Sequence, residues 1–145
     1  MHRLMILILA LVPLGAWSSG ALAADPPVGV ADAGAIHDVV ADQLAAFRRD
    51  DGTTAFSFAS PKIHEQFVSP ENFMTMVRTG YLPVYRPREV SFGPVVEMEG
   101  RIVQRVLLVG PDGQPVMALY LMEKQPDGSW RIDGCILTQS DEKST

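Results

Sequence analysis

The most chemically distinctive stretch of the sequence runs from residue 80 to 88 and contains two tyrosines, two arginines and two prolines. A guanidinium group can bind a carboxylate or a phosphate through two parallel hydrogen bonds. One interpretation is that Tyr81 and Tyr85 line the mouth of a pocket while Arg86 or Arg88 binds such an anion. The other is that the tyrosines fill the interior and the arginines pair with surface acids. The prolines predict a stiff, mostly extended segment.

Asp133 is the candidate for acid-base chemistry, because it lies within an apolar run near the end of the chain. Strand alternation would place it on the same face as Cys135 and Leu137. In an apolar cavity, desolvation would move the pKa of its carboxyl toward neutrality, as a general base requires. The alternative is that Asp133 points into solvent beside Arg131. No second acid or histidine stands at a spacing that suggests a dyad.

The remaining reactive residue types give weaker signals. His37 lies beside the apolar stripe of a predicted helix and His64 lies in a polar turn, so we expect both to be solvated. Cys135 is the single cysteine and is interpreted as a small buried residue, with a redox-active thiol as the alternative. The methionines are dispersed and are interpreted as core residues. The sequence therefore predicts no catalytic residue, no metal site and no cofactor.

Aromatic residues of the predicted strands extend the set of candidate ligand contacts. Tyr120 and Trp130 lie in apolar runs, where their rings would supply surface to a pocket. The predicted ligand-binding residues are thus Tyr81, Tyr85, Arg86, Arg88, Tyr120 and Trp130.

The N-terminus has the pattern of a cleavable secretory signal. Arg3 precedes an apolar run from residue 4 to 17, and Ala21-Leu22-Ala23 is the small-x-small motif of signal peptidase sites. The run is shorter than the ~20 residues that span a bilayer, so an uncleaved anchor is the weaker alternative. We expect residues 1–23 to be removed after Ala23, and the protein to be periplasmic in a Gram-negative bacterium or secreted.

The rest of the chain is long enough for one domain. We expect an extended leader at 24–32, a single α+β domain at 33–139 and a polar tail at 140–145. The formal net charge of −5 argues against nucleic acid and anionic lipid as partners. No later segment is apolar enough to cross a membrane, so no stable membrane insertion is expected after cleavage.

Helical periodicity dominates the first half of the domain. The spacing of apolar residues predicts an amphipathic helix over 33–50, and a short helix containing Phe56 and Phe58 follows it. Ser-Pro pairs then predict helix starts for segments at 61–67 and 70–79.

Alternating apolar runs dominate the second half. Runs at 88–98, 101–109, 115–125 and 130–139 are separated by short turn sequences rich in glycine, which predicts a four-stranded antiparallel meander. The third run is apolar on both faces and should be central, whereas the first can lie at an edge. Helices can cover only one face of this sheet. A homodimer through the other face is therefore a candidate assembly.

Several short strings along the chain carry a family resemblance: Gln43-Leu44-Ala45-Ala46-Phe47-Arg48, Phe56-Ser57-Phe58-Ala59-Ser60-Pro61, Met76-Val77-Arg78-Thr79-Gly80-Tyr81, Pro83-Val84-Tyr85-Arg86-Pro87-Arg88, Gly110-Pro111-Asp112-Gly113 and Gly128-Ser129-Trp130-Arg131-Ile132-Asp133-Gly134-Cys135. Together they resemble the bacterial family catalogued as domain of unknown function 4864, over about residues 35–138. The resemblance implies an exported, periplasmic protein. The layout also resembles the nuclear transport factor 2-like, cystatin-like superfold, in which helices close one side of a cone that often holds a pocket. No activity and no catalytic residues come with the resemblance.

Two functions follow as hypotheses. The first is a non-catalytic module of the cell envelope that binds a small apolar or amphiphilic ligand or a protein partner. The alternative is a small cone-fold enzyme, an isomerase, dehydratase or hydrolase, that acts through Asp133 or His64. An accessory subunit without a pocket is a third interpretation.

Overall fold

The Ser-Pro pairs in the sequence mark the starts of two helices of the structure. The computed structural model describes residues 25–140. Within them the elements are α1 (Val30–Arg48), α2 (Gly52–Ser57), α3 (Pro61–Phe67), α4 (Pro70–Gly80), α5 (Leu82–Tyr85), β1 (Glu89–Met98), β2 (Arg101–Val109), β3 (Pro115–Lys124) and β4 (Trp130–Gln139). The predicted α+β class, with helices followed by a four-stranded antiparallel sheet, is confirmed. The predicted signal segment 1–23, its cleavage site at Ala23 and the tail beyond residue 140 lie outside the described residues.

Both Ser-Pro pairs cap helices as predicted. Ser60 Oγ accepts a hydrogen bond from Ile63 N at the start of α3, and Ser69 Oγ accepts one from Asn72 N at the start of α4. Each proline then occupies the first turn, where its missing N–H costs nothing. The prediction for α1 was less accurate, because the helix runs from Val30 to Arg48 instead of from 33 to 50.

The connection between α4 and β1 differs from its prediction. Leu82–Tyr85 is a short helix, α5, and not an extended segment. Pro83 lies in the first turn of α5, where a fixed φ favours a helix instead of preventing one. The prolines were correctly interpreted as stiffening the chain, but the conformation they stabilise here is helical.

The sheet has the order β1-β2-β3-β4, and every neighbouring pair is antiparallel. Glu99 and Gly100 form the first turn with φ of 50° and 76°, the left-handed values that tight hairpins require. β3 lies inside the sheet and β1 lies at an edge, as predicted.

The helices pack on one face of this sheet. Ile36, Val40 and Phe47 of α1 are buried in a common core with Val106 and Tyr120 of the sheet. On the opposite face, register partners such as Leu107 and Met117 are only partly buried. One face of the sheet therefore forms the core, and no helix among residues 25–140 covers the other.

A bulge interrupts β4 where the sheet meets α3. Ile132 pairs with Met122 and Gly134 pairs with Leu121, so Asp133 is the extra residue between them. The chain just before α3 runs alongside this point, where Ala59 and Ile132 form a parallel bridge. Two backbone hydrogen bonds, Ser60 N to Ile132 O and Ile132 N to Phe58 O, hold it there. The bulge and the bridge together bring Asp133 to the N-terminus of α3.

α3 is the least embedded of the described helices, since none of its residues is buried. It ends in a three-residue turn centred on Val68, in which Ser69 N donates to Phe67 O at 2.8 Å. Val68 has φ of 71° and ψ of −45° and is 78% exposed. A β-branched residue in this conformation is strained.

Candidate functional site

A pocket of about 540 Å³ lies between the helices and β4. Its walls are mainly apolar and aromatic. The helices contribute Phe47, Phe67, Phe73 and Val77, and the sheet contributes Tyr120 among others. This volume lies within the range of pockets that hold small organic ligands.

The Tyr120 hydroxyl is the unusual polar group of this pocket. The residue is 1% exposed, and its Oη is the only buried side-chain nitrogen or oxygen without a hydrogen-bond partner in residues 25–140. The polar side chain beside this hydroxyl is the Cys135 thiol, which contributes to the pKa of Tyr120 but is only a weak hydrogen-bond acceptor and does not satisfy the hydroxyl. Burial first, and Cys135 second, raise the pKa of Tyr120 well above its usual value. The hydroxyl is therefore protonated and available as a donor.

Two other polar side chains of the pocket, those of Tyr81 and Gln43, are already paired. Tyr81 Oη donates to the Cys135 carbonyl at 3.0 Å, and Gln43 Nε2 donates to the Ala55 carbonyl at 3.1 Å. Burial raises the pKa of the Cys135 thiol to about 12, against a smaller opposing effect of Tyr120. Cys135 is thus an uncharged wall residue of the pocket at neutral pH, and its thiolate form is disfavoured.

Asp133 lines the same pocket but is held in a network of its own. Its Oδ1 accepts from Ser60 Oγ at 2.7 Å, and its Oδ2 accepts from Arg101 Nη2 at 2.7 Å and lies 3.7 Å from Lys62 Nζ. Burial alone would raise the pKa of this carboxyl. The bonds from Ser60 and Arg101, together with the charges of Lys62 and Arg101, outweigh burial and lower it below the ordinary value. Asp133 is therefore a paired carboxylate, and the interpretation that it points into solvent beside Arg131 is wrong.

The rim of the pocket is formed by exposed side chains. Lys62 and Gln66 of α3 lie on one side, and Ile136 of β4, 48% exposed, lies on the other. Lys62 and Asp133 are the charged residues among those that line the pocket. The charges are thus gathered at the α3 end, while aromatic rings form the other walls.

The structure divides the predicted tyrosine and arginine cluster. Tyr81 and Tyr120 line the pocket, whereas Tyr85 and Arg86 lie apart from it and converge on Asp50. Arg86 donates to Asp50 Oδ2 at 2.9 Å and to the Phe47 carbonyl at 2.7 Å. Its guanidinium also lies 3.9 Å from the centre of the Tyr85 ring. This cluster ties α5 to the C-terminal end of α1, and for Arg86 it agrees with the interpretation that the arginines pair with surface acids.

The other two candidates of the predicted set also lie outside the pocket lining. Arg88 is exposed, and its backbone N–H donates to the Val109 carbonyl. Trp130 Nε1 donates to Asp32 Oδ1 at 3.0 Å and so ties the start of β4 to the first turn of α1.

His64 is partly buried and held by contacts of its ring, whereas the prediction had it solvated. Its Nε2 lies 2.7 Å from the Phe56 carbonyl, and its ring stacks on Phe56 with centroids 3.9 Å apart. His37 is exposed, as predicted, and contacts the Phe92 ring. Neither histidine lines the pocket.

Sequence reasoning missed Gln43, Lys62 and the partners of Asp133. Gln43 stands on the apolar side of the α1 pattern, and a polar residue at a core position is the one signal that could have identified it. Ser60 and Arg101 are distant from Asp133 in sequence. Their contact with Asp133 depends on the bridge between Ala59 and Ile132, so no local pattern in the sequence indicates it.

The unpaired hydroxyl leads to a prediction about stability. Tyr120→Phe should raise the free energy of unfolding by about 1 kcal/mol, because it removes a buried donor that has no acceptor. Tyr81→Phe removes a donor that is satisfied and should lower the free energy of unfolding by about 1 kcal/mol. Urea denaturation of both variants measures the difference. Equal destabilisation by the two changes would mean that the Tyr120 hydroxyl has a partner, such as a bound water.

Residues 25–140 lack two features that would indicate other functions. No helix there is long and apolar enough to cross a membrane. Within the same residues, no three His, Cys, Asp or Glu side chains are grouped so that they could hold a metal ion.

Comparison with known proteins gives one family. The family described as "Domain of unknown function (DUF4864)" matches residues 30–145 of the chain. A search of curated proteins finds no significant match.

Proposed function

The chain belongs to the family described as a domain of unknown function (DUF4864), which assigns no activity. From the geometry of the pocket, we propose that the protein is a non-catalytic module that binds a small apolar or amphiphilic molecule. The binding site is the pocket between α1, α3, α4 and β4. The observation that carries this proposal is an apolar pocket of about 540 Å³ that contains an unpaired, buried hydroxyl on Tyr120. Apolar walls with a few placed polar groups are typical of ligand sites.

The proposal includes the nuclear transport factor 2-like cone as the fold. Helices that cover one face of an antiparallel meander, with a pocket between helices and sheet, support it. In such an arrangement the pocket is built from both halves of the chain. Its walls are therefore available only once the helices have packed on the sheet.

The proposal also includes export to the envelope of a Gram-negative bacterium. The apolar N-terminal run and the Ala21-Leu22-Ala23 motif support this. A carrier or sensor of poorly soluble molecules would serve the periplasm, where such molecules must cross an aqueous layer. Mass analysis of the protein isolated from its host would test cleavage after Ala23.

The enzyme alternative, through Asp133 or His64, receives less support from the geometry. A general base works best when its pKa is near the working pH, and the pKa of Asp133 is lowered. His64 lies outside the pocket lining and is bonded to the Phe56 carbonyl. The pocket thus offers ligand contacts but no poised proton donor or acceptor at these positions.

A homodimer or another protein partner on the open sheet face remains part of the proposal. Leu107, Met117 and Leu119 on this face are only partly buried, and Met98 is 43% exposed. Apolar surface of this kind favours association. Sedimentation of the wild type and of Met117→Lys would reveal whether this face joins two copies.

Ligand binding is tested by filling the pocket. Met76 of α4 lines the pocket and is partly buried. Met76→Trp should weaken the binding of acetylnaphthalene, a small apolar probe, by at least about tenfold, because the indole occupies the space of the ligand. Isothermal titration calorimetry measures the dissociation constant, and native mass spectrometry of protein from its host would report a natural ligand.

Met98→Trp is the matched control, since Met98 lies on the open sheet face and outside this pocket. It should leave the affinity unchanged. Equal loss of binding in both variants, or loss only in Met98→Trp, would place the probe elsewhere and contradict the proposal.

A further inference from the structure

The Tyr120 hydroxyl restricts the chemistry of any ligand in the pocket. A buried donor without an acceptor costs about 1–3 kcal/mol, and this cost is recovered by a ligand that supplies the acceptor. Tyr81, which lines the same pocket, already donates to the Cys135 carbonyl, so its hydroxyl does not require an acceptor from a ligand. Tyr120 therefore provides the hydrogen bond that an incoming molecule can complete.

The charged groups of the pocket restrict the ligand further. Lys62 and Asp133 are the charged residues of the lining, and they lie 3.7 Å apart at the α3 end. Asp133 is also paired with Arg101, and the Lys62 side chain is 67% exposed. An anion beside Tyr120 would be surrounded by aromatic walls without a dedicated cation, and burying an unpaired charge is costly.

We propose that the ligand is an uncharged, lipid-like or aromatic molecule with a carbonyl, ester or ether oxygen, and that this oxygen accepts a hydrogen bond from Tyr120 Oη. This inference rests on the proposed function, because it assumes that the pocket binds a ligand. Phe47, Phe67 and Phe73 provide walls for the apolar body of the molecule. Any polar end of the molecule extends toward Lys62 and Gln66 at the rim.

Three probes of nearly equal shape test this inference. Acetylnaphthalene carries a neutral acceptor, isopropylnaphthalene replaces it with a methyl group, and naphthoate replaces it with a negative charge. Their dissociation constants are measured by isothermal titration calorimetry with the wild type, with Tyr120→Phe and with Tyr81→Phe. The ratio of the dissociation constants of two probes is compared between wild type and variant, so that the different solubilities of the probes in water cancel.

Tyr120→Phe should weaken acetylnaphthalene about fivefold relative to isopropylnaphthalene, which corresponds to one hydrogen bond. Tyr81→Phe should leave that ratio unchanged. Naphthoate should bind most weakly to the wild type. Since Tyr120→Phe preserves the shape of the core, a folded variant is expected, and its unfolding curve confirms it.

Two results would overturn the inference while the proposed function stands. In the first, Tyr120→Phe leaves the ratio of the acetylnaphthalene and isopropylnaphthalene dissociation constants unchanged, while Met76→Trp still blocks the binding of isopropylnaphthalene. In the second, naphthoate binds tightest, which would mean that an anion is recognised through Lys62. If none of the probes binds, the proposed function itself fails and this inference fails with it.

Discussion

Asp133→Ala is expected to lower the free energy of unfolding by about 3 kcal/mol, because it removes the acceptor of two charge-assisted hydrogen bonds. The change leaves the O–H of the fully buried Ser60 without its acceptor and leaves Arg101 without its carboxylate. Arg101 and Lys62 are partly exposed and can be solvated again, so the loss lies at the lower end of the range for buried ion pairs. Urea denaturation measures it.

Asp127→Ala is the matched control in the turn before β4. Asp127 accepts from Ser129 N and Oγ but is exposed, so its removal should cost much less than the removal of Asp133. A comparable loss at both positions would contradict a special role for the buried network.

The same carboxylate makes stability depend on pH in one direction. The pKa of Asp133 is lower in the folded protein than its ordinary value of 3.8. The unfolded chain therefore binds a proton more readily, and stability decreases as the pH decreases. The contribution should be complete above about pH 5 and should be lost progressively as the pH falls through 3.8 toward the folded pKa. The stability difference between the wild type and Asp133→Asn should accordingly shrink in acid.

Phe73→Ala is expected to lower the free energy of unfolding by about 4 kcal/mol, through lost burial and the cavity that it leaves. Phe73 of α4 contacts Phe47 of α1, Phe56 of α2 and Phe67 of α3, with ring centroids 6.1, 5.2 and 5.8 Å away. One side chain thus joins four helices. Thermal and urea unfolding both measure the loss.

Phe67→Ala provides the comparison, since Phe67 is only partly buried and contacts Phe73 alone among these rings. Its removal should cost less and should mainly loosen α3. If Phe67→Ala were as destabilising as Phe73→Ala, the four helices would not depend on Phe73 in the way described.

Local patterns explain why most elements were predicted correctly. Ser60-Pro61 and Ser69-Pro70 fix helix starts through a side-chain cap and a preset φ, and both effects act within a few residues. Glu99-Gly100 fixes a hairpin in the same local way. The segment before β1 was predicted wrongly because proline is compatible with an extended chain and with a first helical turn, and packing decided between them.

The site was less predictable because its properties depend on contacts between distant residues. Tyr81 and Tyr120 were predicted as ligand contacts and both line the pocket, but the sequence does not distinguish the paired hydroxyl from the unpaired one. The state of Asp133 depends on Ser60 and Arg101, which a bulge in β4 brings to it. Similarly, Tyr85 and Arg86 follow Tyr81 closely in sequence, yet the turn of α5 directs them to Asp50.

The bridge between Ala59 and Ile132 also has a consequence for solubility. The exposed edge of a sheet is a template on which strands of other molecules can add, which leads to aggregation. Here the outward N–H and C=O groups of Ile132 are bonded to Phe58 and Ser60, and the Cys135 carbonyl is bonded to Tyr81. At the opposite edge, β1 is interrupted by an irregularity at Pro94, which has no N–H to offer. Growth into a larger sheet is therefore disfavoured at both edges.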